Sequence, residues 1–581
     1  MSLAQLELPL TPARTYGTYS YQQTNKRGLW TLKMEPAVAM RAKRIFGRVR
    51  WVNPGTVEMW DTLDVARDLE WLLERWPMTP DSPEAAQRLY KSARAHRRRE
   101  ETIQQVVTGQ RRLELPRDPA KAPRDYQLVA VDLLRQTGRL LLTDSRGLGK
   151  TYTGLLNATH EDALPMLVVP PAHLPGRWAL EAAESFPFLR VEIAKRGTPP
   201  ENWTAKDMPD VMIVPYSKLA RWTDYLAGNI RAIVFDEVQE LRTGKYTQKG
   251  TAAAFLCQDT PYRLGLTATP IYNYGGEIWN ILDILAPGEL GTSDEFTREW
   301  GSSSYNGKTL IKDPAALGGY LREQGLMLGR NRKDVGRELP PHVTVPVTVE
   351  SNPEALEKVK GDAQAMAKLI LAADTTSFDR MKAAGELDWK LREATGIAKA
   401  PYVAEFVRLL LESENKVLLF GWHRAVYDIW LDLLAEFNPV LYTGSESATQ
   451  KDAAAKAFIE GDARVLLMSL RSGSGVDGLQ EASKVCVFGE LDWSPQVHLQ
   501  GIGRLDRDPA DPNVDLEAVE PTVAYYLTTE DGSDPVLMET LGIKRNQSEP
   551  MLNPDGKLTS NAAPDTGRAR ALALQILGDT K

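Results

Sequence analysis

Residues 141 to 156 read LLTDSRGLGKTYTGLL: an apolar run, a turn holding Gly147 and Gly149, then Lys150, Thr151 and a second apolar run. A buried strand that ends in a glycine turn and opens a helix aims backbone N–H groups and the positive end of the helix dipole at one point, which suits a chain of phosphates. In such a cradle Lys150 pairs with β- and γ-phosphate oxygens and Thr151 ligates Mg²⁺. Asp144 stands where the strict phosphate-loop pattern has its first glycine. The plain alternative is a strand-to-helix turn with a surface lysine. Further on, RAIVFDEVQEL delivers Asp236 and Glu237 side by side at the end of an apolar strand, where ligands bind open α/β sheets. Neighbouring strand residues point to opposite faces, so the chain must turn there for both carboxylates to reach one site. Asp236 then holds a metal's hydration shell and Glu237 polarises the attacking water. A solvated acidic pair is the plain reading of such a dipeptide taken alone.

These residues need a parallel sheet to carry them. RLLLTD, MLVVP, DVMIVP, AIVFDE and YRLGLTAT are continuous apolar runs, each leading into a turn and helix, the pattern of strands covered on both faces. The pattern pauses from about 275 to 415 in polar, mostly helical sequence. It resumes with KVLLFGW, PVLYTG, ARVLLMSL, KVCVFGE and TVAYYLT. Two α/β lobes with a helical insertion are expected. The 581 residues exceed one hydrophobic core, and 43 % hydrophobic with 25 % charged residues argues against wholesale disorder. The net charge is −7, yet residues 1 to 115 hold 19 Lys and Arg against 13 Asp and Glu, with five cations and no anion in RAKRIFGRVR (41 to 50). Cys257 and Cys486 lie in apolar surroundings and read as buried reduced thiols. With six scattered histidines they make no zinc or iron spacing. The amino terminus lacks a signal pattern and no run reaches the ~18 apolar residues of a bilayer span, so a cytosolic protein away from membranes is expected.

From about 120 to 545 the sequence resembles the superfamily-two helicase-like ATPases, specifically Swi/Snf-type DNA translocases in a compact bacterial or phage form. RDYQ (124 to 127) is similar to the adenine-side motif, which implies that Gln127 reads the base, and DSRGLGKT to the first motif. VVPPAHLPGRW and VPYSKL resemble segments that track a DNA backbone, implying DNA contacts by Pro170, Tyr216 and Ser217. GLTATPIYN resembles the coupling motif, with Thr267 and Thr269, and RNRKDVGRELPP the basic link between lobes. LMSLRSGSGVDGLQEAS is similar to the segment coupling nucleic acid to nucleotide. It implies DNA contacts by Ser469 and Arg471 and nucleotide contacts by Gly475 and Asp477, although one extra residue sits there. ELDWSPQVHLQGIGRLDR carries Gln500, Arg504 and Arg507 at the spacing of the last motif. Arginine is suited to that place because its planar, permanently charged fork can neutralise charge developing on the γ-phosphoryl group. Gln239 stands where the family has a histidine. The resemblance implies two helical protrusions in the long insertion.

The fold class implied is α/β, two RecA-like parallel-sheet lobes with helical insertions plus a small α+β amino-terminal module. The expected units are an accessory module over 1–115, a first ATP-binding lobe over 116–345, a second lobe over 346–547 beginning with the helical insertion, and a flexible tail over 548–581. Residues 1 to 25 read as a loose arm. In the module, Trp30, Trp51, Trp60, Trp71 and Trp76 accompany the basic run. Together they could stack exposed bases and bind phosphates, or the tryptophans simply form a core. A stretch of some fifty residues there is faintly similar to the HARP-like modules of annealing helicases. The expected protein is a monomeric, ATP- and Mg²⁺-dependent double-stranded DNA translocase. It would act on duplex or forked DNA, with replication, repair or transcription proteins as further partners, in a bacterial or phage-infected cell. A strand-separating helicase, an ATPase acting on DNA-bound RNA polymerase and a non-hydrolysing ATP-gated clamp are the rivals.

Overall fold

The computed structural model describes residues 14–24, 28–200, 203–268, 275–303, 309–337, 339–372, 377–471, 478–507 and 516–539, with a few single positions beyond. Two all-parallel sheets dominate. The first has seven strands in the spatial order Met327–Leu328, Arg139–Leu142, Tyr262–Leu266, Ala232–Phe235, Met166–Val169, Val211–Ile213, Val191–Ile193. The second has six, in the order Val343–Thr348, Val523–Thr528, Val485–Phe488, Val417–Gly421, Val465–Ser469, Val440–Tyr442. Central strands such as Ala232–Phe235 and Val465–Ser469 are buried at every position, as helices on both faces require. The chain is therefore α/β with two RecA-like lobes, and five strands of a mostly antiparallel sheet form the small amino-terminal module.

Several segments differ from the sequence expectation. Residues 17–23, expected within a loose arm, are a strand paired with Gly28–Met34. Tyr19 on it is 7 % exposed and Tyr21 lies against the Trp30 ring. Within the expected helical pause, Met327–Leu328 closes the edge of the first sheet and Val343–Thr348 joins the second. Two long helices, Pro353–Leu371 and Ser377–Ser413, are the longest elements of the insertion. The carboxyl-terminal tail is not loose throughout, because Ala573 is fully buried in the second-lobe core, with Ile576 and Leu577 packed against it.

The helix Pro83–Val107 joins module to motor. Its first half buries Ala85, Leu89 and Ala93 in the module core, while Ile103 and Val106 sit in the first-lobe core. Beside it, Arg48 and Asp64 of the module meet Tyr320 and Glu299 of the first lobe. Tyr320 Oη donates to Asp64 at 2.9 Å, Arg48 donates to Tyr320 Oη at 3.1 Å, and Arg48 lies 3.7 Å from Glu299. These charges are largely buried and lean on one another; removing one member of such a group costs about 3–5 kcal/mol. Both cysteines are buried, Cys257 in the first lobe and Cys486 in the second. Among the described residues no helix is long and apolar enough to cross a membrane.

Candidate nucleotide site

The turn after strand Arg139–Leu142 places Gly147 at φ +81° and Gly149 at φ +71°, left-handed conformations that glycine adopts without a Cβ penalty. Space demands it too, since a Cβ on Gly149 would come within 2.8 Å of Gln127 Nε2. The helix Lys150–Leu156 starts directly behind. Lys150 Nζ donates to the carbonyls of Asp144 at 2.6 Å and Ser145 at 3.1 Å. Burial pulls this ammonium below its usual range, opposed by Asp144 and Glu237.

The acidic pair obeys the geometric requirement set by the strand. Phe235 ends the strand and Glu237 takes a left-handed φ of +46°, uncommon and strained for a residue with a side chain. That turn brings both carboxylates to one cavity. Trp178 Nε1 donates to Asp236 Oδ2 at 2.8 Å, and the Glu237 N–H donates to Asp236 Oδ1 at 3.0 Å. Burial, followed by the neighbouring Glu237 charge, pushes Asp236 up to about 6 against those two hydrogen bonds.

The second lobe closes the cavity. Its helix Pro495–Ile502 ends at Gly503, and Gln500, Gly503, Arg504 and Arg507 face the phosphate turn across a space of about 340 Å³. His498 anchors this helix. Its Nδ1 lies 3.1 Å from the Ser494 carbonyl and its Nε2 accepts the Asp492 N–H at 3.2 Å. Burial holds this ring at about 4, below its usual range, so at neutral pH it is uncharged with the proton on Nδ1. Arg332, from the link between the lobes, donates to the Asp506 carbonyl at 2.9 Å and lies 3.4 Å from the Arg146 carbonyl. One side chain therefore touches both lobes.

Lys150, Thr151, Asp236, Glu237, Gln500, Arg504, Arg507, Gly147 and Gly149 thus line one cavity. Gln127 does not. It is buried behind the turn, its Oε1 accepting the Arg124 N–H at 2.9 Å and its Nε2 3.4 Å from the Leu148 carbonyl. Its place is to brace the loop. Tyr216 is 6 % exposed, with its hydroxyl donating to the Asp236 carbonyl at 2.9 Å. It supports the acidic strand. Pro170 and Ser469 are buried as well, whereas Ser217 is exposed. Arg471 is half exposed, pairs with Asp492 at 2.8 Å and lies over the Trp422 ring. Gln239 donates to the Glu237 carboxylate. Thr267 is buried beside the cavity, its N–H bonded to the Leu142 carbonyl at 3.1 Å. Thr269, Gly475 and Asp477 lie outside the described residues.

Sequence reasoning passed over three contributors. Asp144 is fully buried and accepts two hydrogen bonds from the Arg330 guanidinium, at 2.9 and 2.7 Å, plus the Arg330 N–H at 3.1 Å. The residue that breaks the glycine pattern therefore ties the phosphate turn to the interlobe link. Arg332 and Arg146 are the others, and the only signal for them was their charge in a motif. Among the described residues no three acidic, histidine or cysteine side chains form a preformed metal cage. The Asp236 carboxylate and Thr151 hydroxyl share the cavity, a hard oxygen set that suits Mg²⁺, which keeps waters and shares ligands with substrate phosphates.

The family profile described as SNF2-related domain matches residues 66–392. The DNA annealing helicase and endonuclease ZRANB3 of Mus musculus is 23 % identical over 378 residues, covering 62 % of this chain and 35 % of its own. The SWI/SNF-related matrix-associated actin-dependent regulator of chromatin subfamily A-like protein 1 of Drosophila melanogaster is 24 % identical, covering 71 % of this chain and 53 % of its own. This chain thus spans between a third and somewhat over half of the length of these two relatives. The Bacillus subtilis ATP-dependent helicase YqhH, itself uncharacterized, is 25 % identical over 67 % of this chain and 73 % of its own. The Sulfolobus solfataricus SWI2/SNF2 ATPase core solved with double-stranded DNA aligns over 77 % of this chain and 96 % of its own, at 20 % identity and a TM-score of 0.37.

Proposed function

The chain belongs to the SNF2-related family of helicase-like ATPases, and from that premise we propose that it is an ATP- and Mg²⁺-dependent motor that translocates along double-stranded DNA. The observation that carries this reading is the cavity itself, where Lys150 and the acidic pair of one lobe face Arg504 and Arg507 of the other. Lys150 and the turn's N–H groups hold the phosphates, while Thr151 and Asp236 would hold Mg²⁺, which would supply neutralising charge at the phosphates. Glu237 orients and deprotonates water; Arg504 and Arg507 neutralise charge at the γ position, and Gln500 lies beside them. Because the arginines come from the opposite lobe, hydrolysis requires a closed cleft, so chemistry and lobe movement are linked.

Forks or protein–DNA complexes of replication or repair are the substrates, in the cytosol of a bacterial or phage-infected cell. The amino-terminal module contributes the choice of DNA structure. Trp30 is core, fully buried with Nε1 donating to Asp61. The other four tryptophans each carry a cation over the ring: Lys43 on Trp51, Arg50 on Trp60, Arg75 on Trp71 and Arg41 on Trp76, at 5.0 to 5.8 Å. Rings that stack bases beside cations that hold phosphates suit an unpaired strand.

The test is phosphate release with duplex, forked and single-stranded DNA and with RNA, using Glu237→Gln as the blank. Duplex or forked DNA should stimulate most, and the blank should lose about 10²- to 10⁴-fold in kcat while still binding nucleotide. Strongest stimulation by RNA would overturn the substrate assignment. Displacement of a labelled strand from a fork would replace translocation by strand separation.

A further inference from the structure

The first-lobe wall of the cavity holds a cation with no assigned part in the chemistry. Arg146 follows Ser145 in the phosphate turn, and its side chain crosses the seam onto the second lobe. A Cβ on Gly503 would come within 2.7 Å of Arg146 Cδ, so the absence of a side chain at 503 makes room for it. Its guanidinium feels the charges of Glu237, Arg507 and Asp506, and lines the cavity with Glu237 and Arg507; burial pushes it down to about 10, with Glu237 the main opposing influence. Its carbonyl faces Arg332, which also donates to the Asp506 carbonyl at 2.9 Å. The main chain and side chain of Arg146 are thus both held at the place where the lobes meet.

The position within the cavity decides what this cation serves. The glycine turn and Lys150 define the end that cradles the inner phosphates. Glu237, with Arg504 and Arg507, defines the end where a terminal phosphoryl group would be attacked. Arg146 neighbours Glu237 and Arg507, at that second end. Arginines that crowd together repel one another, and a ligand that adds negative charge between them relieves the repulsion.

Building on the ATP reading above, we propose that Arg146 is a third arginine of the nucleotide site, supplied by the first lobe. It pairs with the terminal phosphoryl group of a nucleoside triphosphate and, through its seat on Gly503, makes cleft closure depend on that group. A diphosphate leaves it without this partner, so release of phosphate loosens the seam.

Binding of fluorescent ADP and of a β,γ-imido ATP analogue is measured with Mg²⁺ on the full chain, for the wild type, Arg146→Met, Arg146→Lys and Gly503→Ala, with melting temperatures recorded for each. Arg146→Met should weaken the triphosphate analogue by about 10- to 100-fold, the range expected for a charge-assisted hydrogen bond to phosphate, and leave ADP within about 2-fold. Lysine should restore most of the affinity. Gly503→Ala, which displaces the side chain, should reproduce the loss, and combining it with Arg146→Met should add little. An unchanged triphosphate-to-diphosphate ratio in Arg146→Met, or an equal loss of both ligands, overturns the inference while leaving the ATP assignment intact. Failure of the wild type to bind either nucleotide overturns both.

Discussion

Single side chains at this site do work that charge alone would not reveal. His498 is the clearest pH-dependent case. Its folded value of about 4 lies below the ~6.5 of an exposed histidine, so the unfolded chain takes up a proton that the native helix refuses. Stability from this group is complete above about pH 6.5 and declines toward pH 4, by about 3 kcal/mol in all. Denaturant unfolding of the second lobe between pH 7 and pH 4 should show this fall, and His498→Gln should flatten it. Arg330 makes a different demand. Replacing it with alanine strands the buried Asp144 carboxylate and should cost about 3–5 kcal/mol, seen as a lower melting temperature with weaker nucleotide binding. The meeting of Lys150, Asp236 and Glu237 at one cavity was legible in the sequence because a turn and a strand end position them locally. The places of Gln127 and Tyr216 were not, since burial depends on what packs behind a motif and motif spacing carries no such information.

Among elements, the strands with unbroken apolar runs were readable because both faces are covered. Those missed have weaker signatures. Val343–Thr348 alternates and contains Pro346, which fits only an outer strand, and Met327–Leu328 is too short to show a period. The helix Pro83–Val107 bears on how the module can be removed. Cutting at 115 would take Ile103 and Val106 from the first-lobe core, a loss of about 1.5–3 kcal/mol for each buried side chain. A chain starting at residue 83 keeps Ile103 and Val106 in place and should therefore retain DNA-stimulated ATPase activity, melting below the full chain because Tyr320 and Glu299 lose Arg48 and Asp64, and one starting at 116 should unfold earlier still. Within the intact module, Trp51→Ala and Trp71→Ala change exposed rings and should weaken binding to forks with an unpaired arm by about 5- to 100-fold per ring. Duplex-stimulated phosphate release should stay at the wild-type level, and equal losses on duplex and fork would count against a role in recognising structure.

At the scale of the whole molecule, opening and closing of the seam should be directly observable. The native cysteines are fully buried, so dyes on introduced cysteines at Tyr246 and Lys456, both exposed positions in opposite lobes, will report the lobes alone. A triphosphate analogue with duplex DNA should hold the dyes at a fixed separation, ADP should broaden it, and Arg504→Ala with Arg507→Ala should abolish the difference. The helix that shares its residues between two cores also has a mechanical meaning. Rooted in the first lobe and 25 residues long, it spans ~37 Å. A rigid-body rotation of about 15°, ordinary for switching proteins, would sweep its far end through ~10 Å. The amino-terminal module would then ride as the tip of a crank, and each stroke of the ATPase would be magnified into a pull on whatever strand those tryptophans grip.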